Sequence, residues 1–569
     1  MIDQTMKAQI DRLFQEYDTG TSPGCALGIL QEGELLYGRG YGLANLEAQI
    51  PISTDTVFHL ASVSKQFTAT CVALLEEAGE IDLEDEAKRY LAFLPDCGMP
   101  LKVRHLLHMT NGLEDFYEVT SFIMGIPEGE YFSREDAIRI IQAAGWRKFS
   151  PGEKWAYGNT GYFLLACIIE TVTGKPFAEF VAEQIFRPLG MHSTFVRTDR
   201  FAEIPNRASG YDRLVGTTDT TYRLRNEMIE FGGAGQAWST VNDLVKWENN
   251  FLDNRLGKRD PGLIEKLFEP GRLNDGTPTR YAYGQFISER AGCRVVFHEG
   301  GAAGVNTVLY RIPAKGLSVI CLANTGDFLT SMLRKLGEEC YERVAGIISP
   351  WEPTSAAAGP EQKLQAAPRE APQTRQPLKQ LERIVGSYED PGTSHIWEVS
   401  VDDTGIRVLE NYSSGFSLLV TGPAGTDRLS FQCKETGLHG AFCRLIGSRF
   451  MEIRVGEEPS LRAFQRYLGL PLAPDALQEY PGIYTCRPLG TSYRVHATVD
   501  GICLENLDPD HDFLNVVFTP TIRDMFLARY PPLIGWYVIQ FRRDAAGEVA
   551  AFVFRDEAPG RDHWVFTRE

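Results

Sequence analysis

The stretch Phe58-His59-Leu60-Ala61-Ser62-Val63-Ser64-Lys65 sets a hydroxyl and an amine three residues apart where a strand pattern gives way to a helix pattern. A β-compatible run from Val57 to Leu60 ends at Ala61-Ser62, and apolar residues then recur at Val63, Phe67, Val72, Leu74 and Leu75. That spacing predicts a helix running to Gly79, with Ser62 at its mouth and Lys65 one turn along on the same face. Unpaired N–H groups and the positive end of the helix dipole can stabilise negative charge developing near Ser62. The same dipole, with burial, disfavours a charged Lys65 and moves its amine toward a usable base. A lone Ser-x-x-Lys arises about once by chance in a chain this long, and Ser is an ordinary helix cap. Catalysis therefore needs partners from elsewhere.

Two segments offer them. Trp155-Ala156-Tyr157-Gly158-Asn159-Thr160-Gly161-Tyr162, after the turn Ser150-Pro151-Gly152-Glu153, places Tyr157 and Asn159 on a loop before a helix. A phenol bonded to Ser62 and Lys65 can carry the nucleophile's proton, its pKa lowered by the neighbouring ammonium. Asn159 offers an amide to hold Lys65 and a substrate carbonyl. Val295-Val296-Phe297-His298-Glu299-Gly300-Gly301 reads as a strand ending in His-x-Gly, whose edge can present N–H groups to a substrate. The N–H of Gly301 with that of Ser62 would form an oxyanion hole. His298, Gly300 and Gly301 are the expected substrate-binding residues beside Asn159.

The elements that must position these groups follow from patterning. An amphipathic N-terminal helix (Ile10, Leu13, Phe14, Tyr17) precedes a β-hairpin, Cys25 to Leu30 and Glu34 to Gly38 around Gln31-Glu32-Gly33. Residues 62 to about 191 are mostly helical in pattern, with examples at Val103–Met109, Arg134–Ala144 and Tyr162–Val172. Strands return at Arg294–His298, Thr307–Arg311 and Leu317–Leu322, and a helix over about Leu329–Val344 closes the region. The expected fold is α+β: an antiparallel sheet flanked by helices, with a helical subdomain inserted. Pro, Ala, Gln, Glu and Thr then dominate a linker. Beyond it, Leu381-Glu382-Arg383-Ile384-Val385-Gly386-Ser387-Tyr388 is echoed 96 residues later by Leu477-Gln478-Glu479-Tyr480-Pro481-Gly482-Ile483-Tyr484. Each copy leads short alternating segments, which predicts two related antiparallel β-barrels. The expected domains are 1–348 (catalytic), 349–377 (linker), 378–472 and 473–569 (barrels).

Composition narrows the function classes. The chain has 569 residues, a net charge of −18 and no Lys/Arg-rich block, so a nucleic-acid surface is not expected. No signal-peptide pattern opens the sequence and no apolar run suits a bilayer. Eleven cysteines lie scattered without metal spacing, many within apolar segments. They read as reduced core residues of a cytoplasmic protein.

Ser-x-x-Lys at a strand-to-helix junction, Tyr-x-Asn in the helical middle and His-x-Gly on a late strand occur here in the order found in penicillin-recognising serine hydrolases. The chain resembles that family over roughly residues 5–347, especially class C β-lactamases, the D-Ala-D-Ala carboxypeptidase B group and the D-aminopeptidases. Supporting stretches are Pro23-Gly24-Cys25-Ala26, Leu106 to Leu113, Gly232-Gly233-Ala234-Gly235 and Ser239 to Leu244. Two barrels behind a linker further resemble three-domain D-aminopeptidases. The resemblance implies a β-lactamase-like fold, Ser62 as acylated nucleophile, Lys65 and Tyr157 sharing acid/base work, and Asn159 positioning substrate. No metal or organic cofactor is needed for such chemistry. His298 stands where β-lactamases carry the Lys of Lys-Thr-Gly, and a largely neutral imidazole holds a carboxylate less well than an ammonium. Aminopeptidase or amidase action is therefore expected ahead of β-lactamase or carboxypeptidase action, with esterase action as the alternative. The expected partner is a small peptide, amide or ester, with no nucleic acid or membrane and a homodimer as candidate assembly. The resemblance also implies a barrel loop entering the cleft; Arg529 to Trp536 and Asp508 to Asp512 are the candidates.

Overall fold

The structure is a computed structural model. It describes residues 3–348 apart from 96–98, 125–130, 145–147, 200, 214–220, 226–229, 231, 291 and 327–339. From 386 to 467 it describes the eight strands of one barrel, and from 476 to 569 all but 499–500, 508–516, 523–524, 530–535 and 556–563. The chain divides into two compact units, 1–121 with 128–359, and 360–569 with 122–127. The division falls within the Pro-rich linker segment, whose residues, like both candidate barrel loops, lie outside the described ones.

The first unit is built on a six-stranded sheet in the order Phe286–Arg290, Cys293–Ala302, Val305–Ile312, Leu317–Ala323, Cys25–Gln31, Glu34–Tyr41. Every neighbouring pair is antiparallel. The expected hairpin forms because Glu32 and Gly33 both take positive φ, 48° and 83°, as a two-residue turn matched to strand twist requires. The three expected late strands are present. The edge strand Phe286–Arg290 joins them without having been legible, because its residues are only partly buried or exposed and carry no apolar run.

Helices Gln4–Phe14 and Cys340–Ile348 cover one face of this sheet. Ile10, Phe14, Val344 and Ala345 pack there with Leu27, Ile29, Val308, Tyr310 and Val319. Each large aliphatic side chain so buried contributes about 1.5–3 kcal/mol. Asp3 starts the first helix by accepting from Met6 N–H at 2.8 Å. Two central helices, Lys65–Glu77 and Thr160–Thr173, touch each other. The first is buried continuously over Lys65–Leu75 and the second over Thr160–Ile169. A helix buried on all sides needs a nearly unbroken apolar run; the second has one from Tyr162 to Ile169, whereas the first buries Lys65, Gln66, Thr68 and Thr70 among its apolar residues.

The second unit contains two closed eight-stranded antiparallel barrels. Their first strands begin at Gly386 and Gly482, which keeps the 96-residue offset of the repeat. Each barrel closes by pairing first strand with last, Gly386–Glu389 with Arg462–Tyr467 and Gly482–Cys486 with Val565–Arg568. Tyr484, Phe541, Phe552 and Phe566 are buried in the second barrel, with the rings of Phe552 and Phe566 stacked at 4.7 Å. Among the described residues, no helix is long and apolar enough to cross a membrane.

Candidate active site

The chain leaves the short strand Phe58–His59 and turns at Ala61, whose φ of +46° is a left-handed conformation. For a residue with a Cβ that costs about 1–3 kcal/mol and is kept only where the surroundings enforce it. A 3-10 turn, Ala61–Ser64, carries Ser62, and the α-helix starts at Lys65, three residues later than apolar spacing suggests. The turn is pinned from several sides. Leu60 N–H donates to the Ala237 carbonyl (2.8 Å), Ala237 N–H to Ser64 Oγ (2.9 Å), and Thr307 Oγ1 to the Leu60 carbonyl (2.8 Å). A Cβ on Gly300 would lie 2.3 Å from Thr307 Oγ1 and 2.4 Å from the Leu60 carbonyl oxygen. Only glycine lets strand Cys293–Ala302 close on the serine turn. Gly301, next along, is exposed, and a Cβ there would meet only Asn306 Oδ1 within 4 Å, at 3.9 Å. Strand Phe286–Arg290 stops opposite Phe297, so beyond that residue this strand is paired on one side only, by Val305–Ile312.

Lys65 is fully buried, with Nζ 2.9 Å from Ser62 Oγ, 2.8 Å from Asn159 Oδ1 and 2.9 Å from the Ala234 carbonyl. As an ammonium it donates to all three. As a neutral amine it keeps its two N–H bonds on Asn159 and Ala234 and turns its lone pair to the Ser62 hydroxyl, which then donates. Burial pushes its pKa down to about 7, against an opposing pull from the Asp115 carboxylate. Asn159 occupies the N-cap of helix Thr160–Thr173 yet makes no side-chain capping bond. Its amide oxygen is committed to Lys65, and the helix forgoes about 1 kcal/mol of capping for that.

Tyr157 lies beside this pair, with Lys65 Nζ 5.0 Å from its ring centroid and its hydroxyl toward Ser62. The side chain is 37% exposed through its ring, whereas its hydroxyl is enclosed by protein. Burial raises the phenol pKa, and the Asp115 and Glu299 carboxylates reinforce this against the opposing pull of the Ser62 hydroxyl. The sequence reading expected the opposite direction. The expected ammonium is itself driven toward neutrality, so desolvation decides, and the phenol keeps its proton while the amine gives its own up.

His298 is 1% exposed, with Nε2 3.1 Å from Tyr281 Oη and Nδ1 2.5 Å from the Glu299 carbonyl. A carbonyl can only accept, so Nδ1 carries the proton and Nε2 receives the Tyr281 hydroxyl. Burial first, and the Lys65 charge second, lower the imidazole pKa to about 3. It is neutral at ordinary pH, and both its nitrogens are engaged within the protein. Ser62, Lys65, Tyr157 and Asn159 are thus brought together, and His298 lies behind them, its ring tilted 49° to that of Tyr157 with centroids 5.9 Å apart.

Residues 10–336, more than half of the chain, match the family model described as Beta-lactamase. The chain belongs to the beta-lactamase family of serine hydrolases. It is 30% identical over 303 residues to a D-aminopeptidase of Gluconobacter oxydans (53% of this chain, 56% of that one). It is 33% identical over 307 residues to penicillin-binding protein 4* of Bacillus subtilis (51% and 66%). Each match leaves a third or more of the relative's length unspanned. Among solved structures, the D-amino acid amidase of Ochrobactrum anthropi SV3 complexed with L-phenylalanine amide superposes with a TM-score of 0.51 at 26% identity, covering 61% of this chain and 99% of that one. An octameric penicillin-binding protein homologue from Pyrococcus abyssi covers 82% of this chain with a TM-score of 0.52 at 22% identity, a likeness of fold.

This beta-lactamase-family site contains three contributors that motif reading left without a role. Ala234 accepts from Lys65 through its backbone, which no side-chain pattern can signal. Tyr281 reaches His298 from 17 residues earlier in the chain, a pairing that only the fold creates. Asp115 lies just past the Leu106–Leu113 stretch and belongs to none of the three motifs.

Proposed function

We propose that this protein is a serine amidase or aminopeptidase that releases N-terminal D-residues from short peptides or amides through an acyl-Ser62 intermediate. What carries the reading is a buried amine with a pKa near 7, 2.9 Å from the Ser62 hydroxyl. Neutral Lys65 takes the hydroxyl proton as Ser62 Oγ bonds to the substrate carbonyl carbon. The tetrahedral oxyanion accepts from the N–H groups of Ser62 and Gly301. Tyr157 donates its proton to the leaving amine, the C–N bond breaks, and Lys65 hands its proton to the phenolate. Water then attacks the ester, with the same groups moving its proton, and frees the acid and Ser62. A neutral His298 holds an anion poorly, which ranks carboxylate-terminated substrates and β-lactams below neutral amides. The D-aminopeptidase relatives support the stereochemical preference.

The test is a panel of D- and L-aminoacyl amides, p-nitrophenyl esters and a penam, read by turnover and by intact mass. The expected result is fastest release from D-aminoacyl amides and an adduct that maps to Ser62 and is lost in Ser62→Ala. Full turnover by Ser62→Ala, or preference for the L-amides, overturns the reading.

A further inference from the structure

Asp115 is 3% exposed and lies under the loop that carries Tyr157 and Asn159. One carboxylate oxygen accepts from Asn159 N–H, and the other accepts from Tyr117 N–H (2.9 Å) and Glu118 N–H (3.3 Å). The approach is close enough that a Cβ on Gly158 would stand 2.9 Å from Asp115 Oδ2. A second tie runs alongside: Thr160 Oγ1 donates to the Glu114 carbonyl (2.8 Å) and accepts from Phe116 N–H (3.0 Å). Fixing the backbone of Asn159 in this way fixes the amide oxygen that receives Lys65 Nζ.

We propose that Asp115 is a positioning residue, holding the Tyr157-Gly158-Asn159 loop against Lys65 and, as a carboxylate, setting the field in which the lysine gives up its proton. The inference rests on the acyl-Ser62 reading. Burial first, and the Glu118 carboxylate second, raise the Asp115 pKa, against the N–H donors of the cluster and the Lys148 charge, which favour its ionised form. The charged and titratable groups facing this cluster are Lys65, Tyr157, Glu114, Glu118 and Lys148, with Glu299 on the far side of Tyr157. The Asp115 charge raises the proton affinity of Lys65 and so opposes burial. Without it, free amine persists to lower pH.

The experiment measures acylation of the full chain by a p-nitrophenyl ester between pH 4 and 10, in the unaltered protein, Asp115→Asn and Gly158→Ala. Asp115→Asn keeps the size and removes the charge and one acceptor. Its acid limb is expected to move to lower pH, and its plateau rate to fall by about tenfold or more, the scale of a small misplacement of reacting groups. Gly158→Ala pushes the carboxylate off the loop without altering Asp115, and should move the limb the same way. A purely structural role would lower the plateau and leave the limb in place. If the unaltered protein forms the adduct and neither variant that folds moves the limb, this inference is overturned and the acyl-enzyme reading stands. If the unaltered protein forms no Ser62 adduct, the acyl-enzyme reading falls and takes the inference with it.

Discussion

The two faces of the central sheet are furnished by alternate residues of the same strands and do different work. Under the terminal helices stand Leu27, Ile29, Val308, Tyr310, Val319 and Cys321, an almost wholly apolar layer. On the other face the alternates mix apolar residues, Val296, Leu309, Ile320 and Leu322, with His298, Gly300, Thr307, Arg311 and Ser318, all buried as well. The contrast is one of currency. The apolar layer is stabilised by area removed from water, which is non-directional and forgiving of volume-conserving change. The polar groups of the second face are stabilised only while every buried donor and acceptor has its partner. Such groups hold the serine turn, through Thr307, and an immobile imidazole in place, and the face is the more easily broken by a single atom.

The largest effects should separate the faces cleanly. Lys65→Met removes the base, and acylation of Ser62 should fall by about a thousandfold or more, measured by stopped-flow release of p-nitrophenol. The same variant has a second signature. Lys65 has a folded pKa of about 7 against a reference value of 10.5, so between those values the unfolded chain binds more protons and stability rises with pH. In Lys65→Met that rise should disappear from urea titrations taken from pH 7 to 10.5. Ile29→Ala, on the apolar face, should do the reverse: lose about 2–5 kcal/mol of stability while the rate per folded molecule is retained. A loss of acylation in Ile29→Ala as large as in Lys65→Met would end the distinction between a face that holds and a face that works.

Not every polar group on the second face serves the chemistry. Arg311 Nε and Nη2 donate to the Glu248 carboxylate at 2.8 and 2.6 Å, and Nη1 to Gln285 Oε1 at 2.6 Å, with the guanidinium 3.6 Å from the Phe251 ring centroid. Both members of the pair are nearly inaccessible. Arg311→Met should cost about 3–5 kcal/mol, because it strands a buried carboxylate. Arg311→Met combined with Glu248→Leu should recover most of that loss. A double variant as unstable as the single one would mean that packing against Phe251, rather than charge, holds the site.

What the sequence disclosed follows the same division. Period-two and helical apolar patterns disclosed the hairpin, the three inner late strands and the buried helices, because burial writes itself into side-chain type. Ser62, Lys65, Tyr157 and Asn159 were legible since their chemistry resides in their side chains and their order along the chain matches a family. Backbone conformation was less legible: nothing in Ala61 announces a left-handed φ, so the helix was read as beginning at Ser62 instead of Lys65. The direction of the Tyr157 shift was misjudged because desolvation depends on what surrounds the hydroxyl, and only the fold sets that. The edge strand Phe286–Arg290 left no apolar trace, having little to bury.

The smallest expected effect tests whether the imidazole is locked or merely lodged. Tyr281 is fully buried and its hydroxyl donates to His298 Nε2, while the Glu299 carbonyl fixes the proton on Nδ1. Tyr281→Phe keeps the ring against Tyr157 and Phe286 (6.3 and 4.9 Å) and removes one donor. It should cost about 1–3 kcal/mol, the scale of leaving one buried acceptor unsatisfied. The bond it removes favours the neutral imidazole, so the His298 pKa should rise from its depressed value of about 3, followed by the ring resonances in NMR. Because the Lys65 charge and burial still oppose protonation, the rise should stop short of the ordinary range near 6.5. If the histidine in Tyr281→Phe titrates where an exposed one would, the hydroxyl alone was keeping charge out of the site, and the polar face owes its neutrality to one hydrogen bond instead of to its depth.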